Sequence, residues 1–382
     1  MFGDEKTISE VSALIEKQNT SSTFQDLYAA LPLDWQLFRL SEKVTQPHEA
    51  EYHCSTEMGD RTMNQQSPVF NTPVHVLLTI LSHLDAKSLC NLSQTCWLFH
   101  SLCEDHLLWK QLLSNDKLKW KEVGHTTNPT SAFHADMTFK SIYLRCSPDM
   151  RRKEKFNFLQ IPRLIKSYFP VQSPKVAMFG PGLDSDTSVI VRKMLNTHEN
   201  EVFCNKGPFP AMFPGSVGTG FTISVSDGAA SHDMRMITLY SGTKKSREIS
   251  PLENRSQRSR LLRRVAEDGE YEPTPTIKQL CGNVNAFICV VESSQELQSV
   301  SGCMEELHCL MDLKWTPHTS PLLVLSCIPN HDTTRIPCVT IAEQLKLNQL
   351  VRQWKVVDGV VSDLQGISSG VRWLIDTANG RA

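Results

Sequence analysis

The sequence predicts a multidomain α+β protein, in which helical segments precede an α/β domain with a doubly wound, mostly parallel sheet. Two patterns predict this fold class. Apolar residues recur at helical spacing between residues 69 and 173. From Lys175 onward, short apolar runs alternate with helical stretches, as in a chain of βα units. The length of 382 residues corresponds to two or three domains.

The composition excludes several classes of protein. Hydrophobic residues make up 40% and charged residues 21%, which excludes a wholly disordered or collagen-like chain. The net charge of −2 excludes a polycation that seeks nucleic acid. The chain opens with two acidic residues, Asp4 and Glu5, where a secretory signal would be basic, and no apolar run is long enough to span a membrane, so we expect a cytoplasmic protein, with the nucleus as a second location. The twelve cysteines form no Cys-x-x-Cys pair, so we expect buried thiols and no metal site.

The N-terminal part divides into three predicted regions. Residues 1–67 are polar, but Ile8, Val11, Leu14 and Ile15 have helical spacing. This helix can dock on its own chain or on a second copy. Residues 69–113 are dense in apolar residues, and those between residues 77 and 84 span too wide an arc for one buried stripe, so one face is predicted to meet a partner. Residues 114–173 are predicted to form a helical linker, with helices around residues 133–144 and 159–169.

Residues 174–380 carry the predicted α/β domain. The sequence predicts strands at residues 176–179, 221–225, 236–240, 286–291 and 322–327, and helices near residues 295–312, 339–351 and 365–378. Two basic runs accompany these elements. Residues 151–155 are interpreted as a solvated loop and Arg255–Arg264 as a solvated helix, with binding of nucleic acid or an acidic partner as the alternative.

The segment Gly180–Ser188 has the setting of a phosphate-binding loop but not its chemistry. Ser185 stands where the second glycine belongs, and Asp186 where the lysine belongs. A charge pair at ~4 Å is worth about 4 kcal/mol at an effective dielectric near 20, so this reversal of sign penalises phosphate binding severely. Leu239–Gly242 likewise lacks the aspartate that reaches magnesium in small GTPases, and Cys327–Asn330 has a cysteine where the guanine-reading asparagine belongs and an asparagine where the final aspartate belongs. No cofactor is therefore predicted, and a nucleotide-binding switch is the alternative function.

Residues 72–109 resemble an F-box. The pattern is carried by spaced apolar residues, although Thr72-Pro73 replaces the usual Leu-Pro. The resemblance implies that this segment binds the adaptor Skp1. The residues expected to bind Skp1 are Pro73, Val76, Leu77, Ile80, Leu81, Leu84, Leu89, Leu92, Cys96 and Trp109.

The chain as a whole resembles F-box proteins that carry a degenerate small-GTPase-like domain. The phrases Ala177–Leu183 and Pro321–Ile328 support this resemblance, together with the end of the chain around Gly366 and Trp373. It implies a non-catalytic substrate receptor of an SCF (Skp1–cullin–F-box) ubiquitin ligase, linked to the cullin-1 scaffold through Skp1. The family's substrates include a telomere-repeat-binding factor and D-type cyclins, and the segment before its F-box is linked to homodimerisation. No H-E-x-x-H motif occurs, and no catalytic residue is predicted.

Substrate capture is predicted to use an exposed sheet edge. In the small-GTPase strand order, the strand at residues 221–225 lies at an edge, where unpaired backbone groups can accept a partner. The residues expected to bind substrate are Phe221, Thr222, Ile223, Ser224 and Val225.

Overall fold

A computed structural model describes residues 72–132, 137–151, 173–184, 189–196, 202–209, 218–226, 231–241, 259–265, 270–294 and 297–380. The chain divides into two units, Met1–Phe70 and Asn71–Ala382, and every described residue belongs to the second. The helix expected near residues 8–15, the second linker helix and residues 152–155 therefore lie outside the described residues.

Four helices follow one another at the start of the described chain: α1 (Val74–Leu81), α2 (Ala86–Leu92), α3 (Trp97–Cys103) and α4 (His106–Asp116). Aspartates cap two of them, because their carboxylates accept hydrogen bonds from first-turn N–H groups. The Asp85 carboxylate accepts from Ser88 N at 2.9 Å, and the Asp105 carboxylate accepts from Leu107 N at 2.8 Å. A 3₁₀ turn (Lys117–Lys119), α5 (Pro129–Ala132) and α6 (Phe139–Cys146) complete the helical part.

One eight-stranded sheet organises the rest of the described chain. Its strands are β1 (Glu122–Gly124), β2 (Lys175–Phe179), β3 (Phe203–Pro208), β4 (Gly218–Ser226), β5 (Ser231–Leu239), β8 (Ala286–Glu292), β9 (Leu322–Ile328) and β10 (Trp354–Val360). Their order across the sheet is β1-β10-β9-β8-β2-β5-β4-β3. The five central strands, β10 to β5, are parallel, whereas β1, β4 and β3 pair antiparallel with their neighbours. This is the mostly parallel sheet that the βα alternation predicts.

Helices cover both faces of the sheet. They are α7 (Val189–Leu195), α8 (Pro275–Asn283), α9 (Leu297–Ser301), α10 (Met304–Met311), α11 (Cys338–Gln344) and α12 (Ile367–Ala378), with 3₁₀ turns at Pro181–Leu183 and Leu347–Gln349. A small separate ribbon pairs β6 (Leu262–Arg264) with β7 (Tyr271–Pro273). Successive residues of β8 and β9 alternate between two buried clusters, which explains why these strands are apolar on both faces.

One of these two clusters joins the helical part to the sheet. It contains Leu81 and Trp109 from the first helices, Val123 from β1, and Val324 and Val356 from the sheet. β1 strengthens the connection because Glu122 pairs with both Arg151 and Lys355 Nζ, the latter at 2.7 Å. The helical part and the sheet therefore share one continuous core.

Three expectations from the sequence are wrong. Residues 122–124 lie in the region predicted as a purely helical linker, but they form an edge strand of the sheet. Residues 262–264 form β6 rather than the end of a helix, and Arg255 lies outside the described residues. The strand at residues 221–225 is not at an edge, because β4 pairs with β5 on one side and with β3 on the other.

Candidate partner-binding surfaces

Helix α1 presents apolar side chains to solvent on one side. Val76 is 38% exposed and Ile80 54% exposed, and these two residues lie one helical turn apart. Pro73, which precedes the helix, is also exposed. We call Pro73, Val76 and Ile80 the α1 exposed face. Apolar side chains aligned in this way on a short helix form a surface that a partner can bury.

The opposite side of α1 lies in the core. Leu77 and Leu81 are buried, as are Leu89 on α2 and Trp109 on α4. The indole Nε1 of Trp109 donates to the Cys103 carbonyl at 2.6 Å. The direct contact with Skp1 predicted for these four residues stays a prediction, and their burial in the chain leaves little side-chain surface for it. Their role is to hold the helices that carry the α1 exposed face.

The remaining predicted contact residues are half-buried. Leu84 and Leu92 pack partly against the core, and Cys96 precedes the first residue of α3. Two further residues of this segment are exposed although the sequence did not predict them to bind Skp1: Trp97 is 39% exposed and Leu107 is 56% exposed. Each stands in the first turn of its helix. The only signal in the sequence was their apolar character next to a cap, which does not distinguish an exposed residue from a buried one.

The predicted substrate strand is an interior strand of the sheet. Ile223, Ser224 and Val225 are buried, and Phe221 and Thr222 are half-buried. Because β3 and β5 occupy both hydrogen-bonding sides of residues 221–225, these residues cannot add a partner strand. Capture of a substrate by the edge of this strand is therefore excluded.

The true edge on that side is β3, and it carries features that discourage pairing with another chain. The ladder is irregular between Asn205 and Gly207, and the Asn205 side chain accepts a hydrogen bond from Gly207 N at 2.9 Å. Pro208 has no N–H, and Lys206 places a charge on the strand. A bulge, a proline and a lysine are the devices that protect edge strands from addition of a further strand. At the other edge, β1 is only three residues long.

The loop after β2 is filled with apolar groups. Gly180 has φ +122°, and the 3₁₀ turn of Pro181, Gly182 and Leu183 that follows is buried. A phosphate site needs backbone N–H groups that face an open space, and Pro181 has no N–H at all. Asp184 brings a carboxylate to the end of this turn, where it accepts a hydrogen bond from Ser241 Oγ at 2.5 Å. Ser185 and Asp186 lie outside the described residues.

Most cysteines of the described chain are buried, and no disulfide joins those that are described. Burial raises the pKa of Cys103 and Cys146 to about 11 and that of Cys327 to about 12, so these thiols stay protonated at neutral pH. Cys204 on β3 is exposed. The described residues contain no group of three or more side chains that could hold a metal ion. None of their helices is long and apolar enough to cross a membrane.

Comparison with known proteins identifies the helical segment. A model of the F-box-like family matches residues 73–115, which we call the F-box-like segment. The chain is also 25% identical to F-box only protein 4 of Homo sapiens over 374 residues, covering 93% of this chain and 94% of the relative.

The chain carries an F-box-like segment and is similar to F-box only protein 4.

The same similarity holds for F-box only protein 4 of Bos taurus, with 25% identity over 83% of this chain and 85% of the relative, and of Mus musculus, with 24% identity over 94% and 96%. The family match and these relatives together support the role of a substrate-recognition subunit of an SCF ligase. The F-box-like segment coincides with helices α1 to α4. The α1 exposed face therefore belongs to the segment that this role assigns to adaptor binding.

Proposed function

We propose that this chain is the substrate-recognition subunit of an SCF ubiquitin ligase. The F-box-like segment binds Skp1, and through Skp1 the cullin-1 scaffold, while the α/β part holds the protein to be ubiquitinated. The chain performs no chemistry itself, because transfer of ubiquitin belongs to the other subunits. The similarity to F-box only protein 4 over most of the chain supports this assignment.

The observation that carries the proposal is the division of α1 into two apolar sides. Leu77 and Leu81 already fill the core, so stability of the fold does not require Val76 and Ile80 to be apolar. An exposed Ile or Val that gains no burial in the free chain gains it in a complex, at about 25 cal/mol per Å² of apolar surface removed from water. The α1 exposed face is therefore proposed as the centre of the Skp1 interface, with Leu84, Leu92 and Cys96 at its border.

The substrate class follows from the family resemblance rather than from a described site. By that resemblance, a telomere-repeat-binding factor and D-type cyclins are candidate substrates, and a homodimer is the candidate assembly. The strand at residues 221–225 has no part in this proposal, because it lies inside the sheet.

The test is affinity purification of the full chain after co-expression with Skp1 and cullin-1, followed by mass spectrometry. The intact chain is expected to retain both proteins. The variant Ile80→Asp is expected to lose both while keeping its melting temperature, because the side chain is 54% exposed. Leu118→Asp is the matched control, since Leu118 is 51% exposed and lies outside the F-box-like segment. Absence of Skp1 from the intact chain contradicts the proposal.

A nucleotide-binding switch is the alternative that the sequence left open. The buried turn at Pro181–Leu183 and the reversed charge at Asp186 both disfavour it. Chromatography of nucleotides released from the denatured full chain tests the alternative. A stoichiometric amount of GDP or GTP would establish it.

A further inference from the structure

Two histidines border the α1 exposed face. His75 precedes Val76 in α1, and the backbone N–H of His83 donates to the Ile80 carbonyl at 3.2 Å just after the helix ends. This bond between residues three apart is that of a 3₁₀ turn, in which residues i and i+3 lie one above the other. His83 therefore lies next to Ile80 along the helix axis, and both histidines are exposed.

The exposed residues between positions 73 and 83 all lie on one side of the helix. At 3.6 residues per turn they fall within one arc that excludes Leu77 and Leu81, which lie in the core. They are Pro73, His75, Val76, Thr79, Ile80 and His83. A partner that covers Val76 and Ile80 therefore also covers the two histidines.

No charge of the described chain is placed to balance a proton on either imidazole. The carboxylates of the F-box-like segment belong to Asp85, Glu104 and Asp105, its lysines are Lys87 and Lys110, and its other histidines are His100 and His106. Asp85 and Asp105 accept backbone hydrogen bonds at the starts of helices, and Glu104 pairs with Lys140. Among the described residues, no acidic side chain forms an ion pair with His75 or His83.

We propose that His75 and His83 belong to the adaptor-binding surface and that Skp1 binds only when both are neutral, so that acidification releases the adaptor. This inference rests on the proposed function and names a regulation of the same surface. A partner surface that fits Val76 and Ile80 is apolar, and moving an imidazolium from water into such a contact costs free energy when no carboxylate pairs with it. An ordinary imidazole changes charge near pH ~6.5, so the effect falls between about pH 6 and pH 7.5.

The test compares the affinity of the full chain for purified Skp1 at pH 7.5 and at pH 6.0, measured by biolayer interferometry. A complex that excludes the imidazolium form loses a factor of about three to four per histidine over this range, so two histidines are expected to weaken binding about tenfold. Equal affinities at the two pH values, or tighter binding at pH 6.0, overturn the proposal.

Matched variants assign the pH dependence to these two side chains. In His75→Gln/His83→Gln both imidazoles are replaced by amides that stay neutral, so the ratio of the two affinities is expected to fall below about twofold, and each single variant should keep a ratio of about three to four. His125→Gln/His318→Gln removes two exposed histidines outside the F-box-like segment and is expected to keep the tenfold ratio. All four positions are exposed, so the variants should melt like the parent. An unchanged ratio in the first double variant, or an equal fall in both, overturns the proposal.

Proton exchange provides a second readout. An ordinary imidazole is half protonated at pH ~6.5, so binding of Skp1 at that pH is expected to release about one proton in total from the two histidines. Titration calorimetry in two buffers of different ionisation enthalpy measures this number, and proton uptake or no exchange overturns the proposal. Absence of Skp1 binding at pH 7.5 refutes the proposed function and this inference with it, whereas binding without pH dependence refutes the inference alone.

Discussion

Truncation of Leu81 tests whether α1 divides its apolar residues between core and solvent. Leu81 is 2% exposed and belongs to the core cluster that contains Trp109 and Leu113. Replacing it by alanine removes buried methyl groups and leaves a cavity, so we expect the free energy of unfolding to fall by about 2–5 kcal/mol. The same truncation at Ile80, which is 54% exposed, is expected to change it by about 0.5 kcal/mol or less.

Urea unfolding of the full chain, followed by circular dichroism and tryptophan fluorescence, measures both variants. The two probes report different properties, because tryptophan fluorescence follows the packing around indoles in both parts, such as Trp109 in α4 and Trp354 in β10, whereas circular dichroism averages over all elements. Leu81→Ala should lower the midpoint in both signals because the helical part and the sheet share a core. Equal losses for the two variants, or no loss for Leu81→Ala, would refute the division of α1 into a buried and an exposed side.

Three other substitutions test the packing of the sheet. Burial raises the pKa of Glu122, but hydrogen bonds and charges from Lys355 and Arg151 outweigh it and hold the pKa below its ordinary value, so Glu122 stabilises the fold above pH ~4.5 and loses this effect as pH falls through its lowered pKa. Thermal melts should show Glu122→Gln less stable than the parent at pH 7, with a difference that shrinks only below pH ~4.5. Arg352→Met leaves the buried carbonyl groups of Met311 and Ser320 without this donor, and a loss of about 2–4 kcal/mol is expected in urea unfolding, whereas an unchanged midpoint would contradict the assigned hydrogen bonds. Gly366 has φ +77° and lies against the Asp358 carbonyl, so calorimetry of Gly366→Ala should show a lower melting temperature, and an equal or higher one would show that this backbone relaxes freely.

The sequence predicts the strands that are continuous apolar runs or that alternate apolar and polar residues, and it misses β1, β3 and β10. β8 and β9 are continuous apolar runs, and both occur where the sequence places them. β10 contains Lys355 and Asp358, whose charges are matched by Glu122 and Arg335 from elsewhere in the chain. Because those partners are distant in sequence, no local pattern reveals a strand there. β3 contains Asn205, Gly207 and Pro208, and these residue types are typical of a turn rather than of a strand.

The α1 exposed face shows a second limit of prediction from the sequence, which is the choice between two apolar sides of one helix. Val76 and Ile80 are four residues apart, and so are Leu77 and Leu81. Both pairs satisfy helical periodicity equally well, so the sequence indicates two apolar sides without saying which one faces the core. The neighbouring helices decide, because their packing buries Leu77 and Leu81 and leaves the other pair in solvent. The match to the F-box pattern likewise mixes core residues such as Leu89 with exposed ones such as Pro73.

The segment Gly180–Ser188 shows that the loss of a phosphate-binding loop can be predicted from the residue types alone. The charge at Asp186 and the proline at position 181 already disfavour phosphate binding. The structure adds a buried Leu183 and the hydrogen bond between Ser241 and Asp184. The strand order could not be read in the same way. β3 adds a strand beyond β4, and this extra strand turned the expected edge into an interior position.

Titration calorimetry of purified Skp1 with the full chain is the most direct test of the central claim. One-site binding by the intact chain is expected. Ile80→Asp should weaken it at least about thirtyfold, the loss of about 2 kcal/mol expected for an apolar anchor, while Leu118→Asp should bind like the parent. No binding by the intact chain, or equal binding by the intact chain and Ile80→Asp, would contradict the assignment of the α1 exposed face to the adaptor.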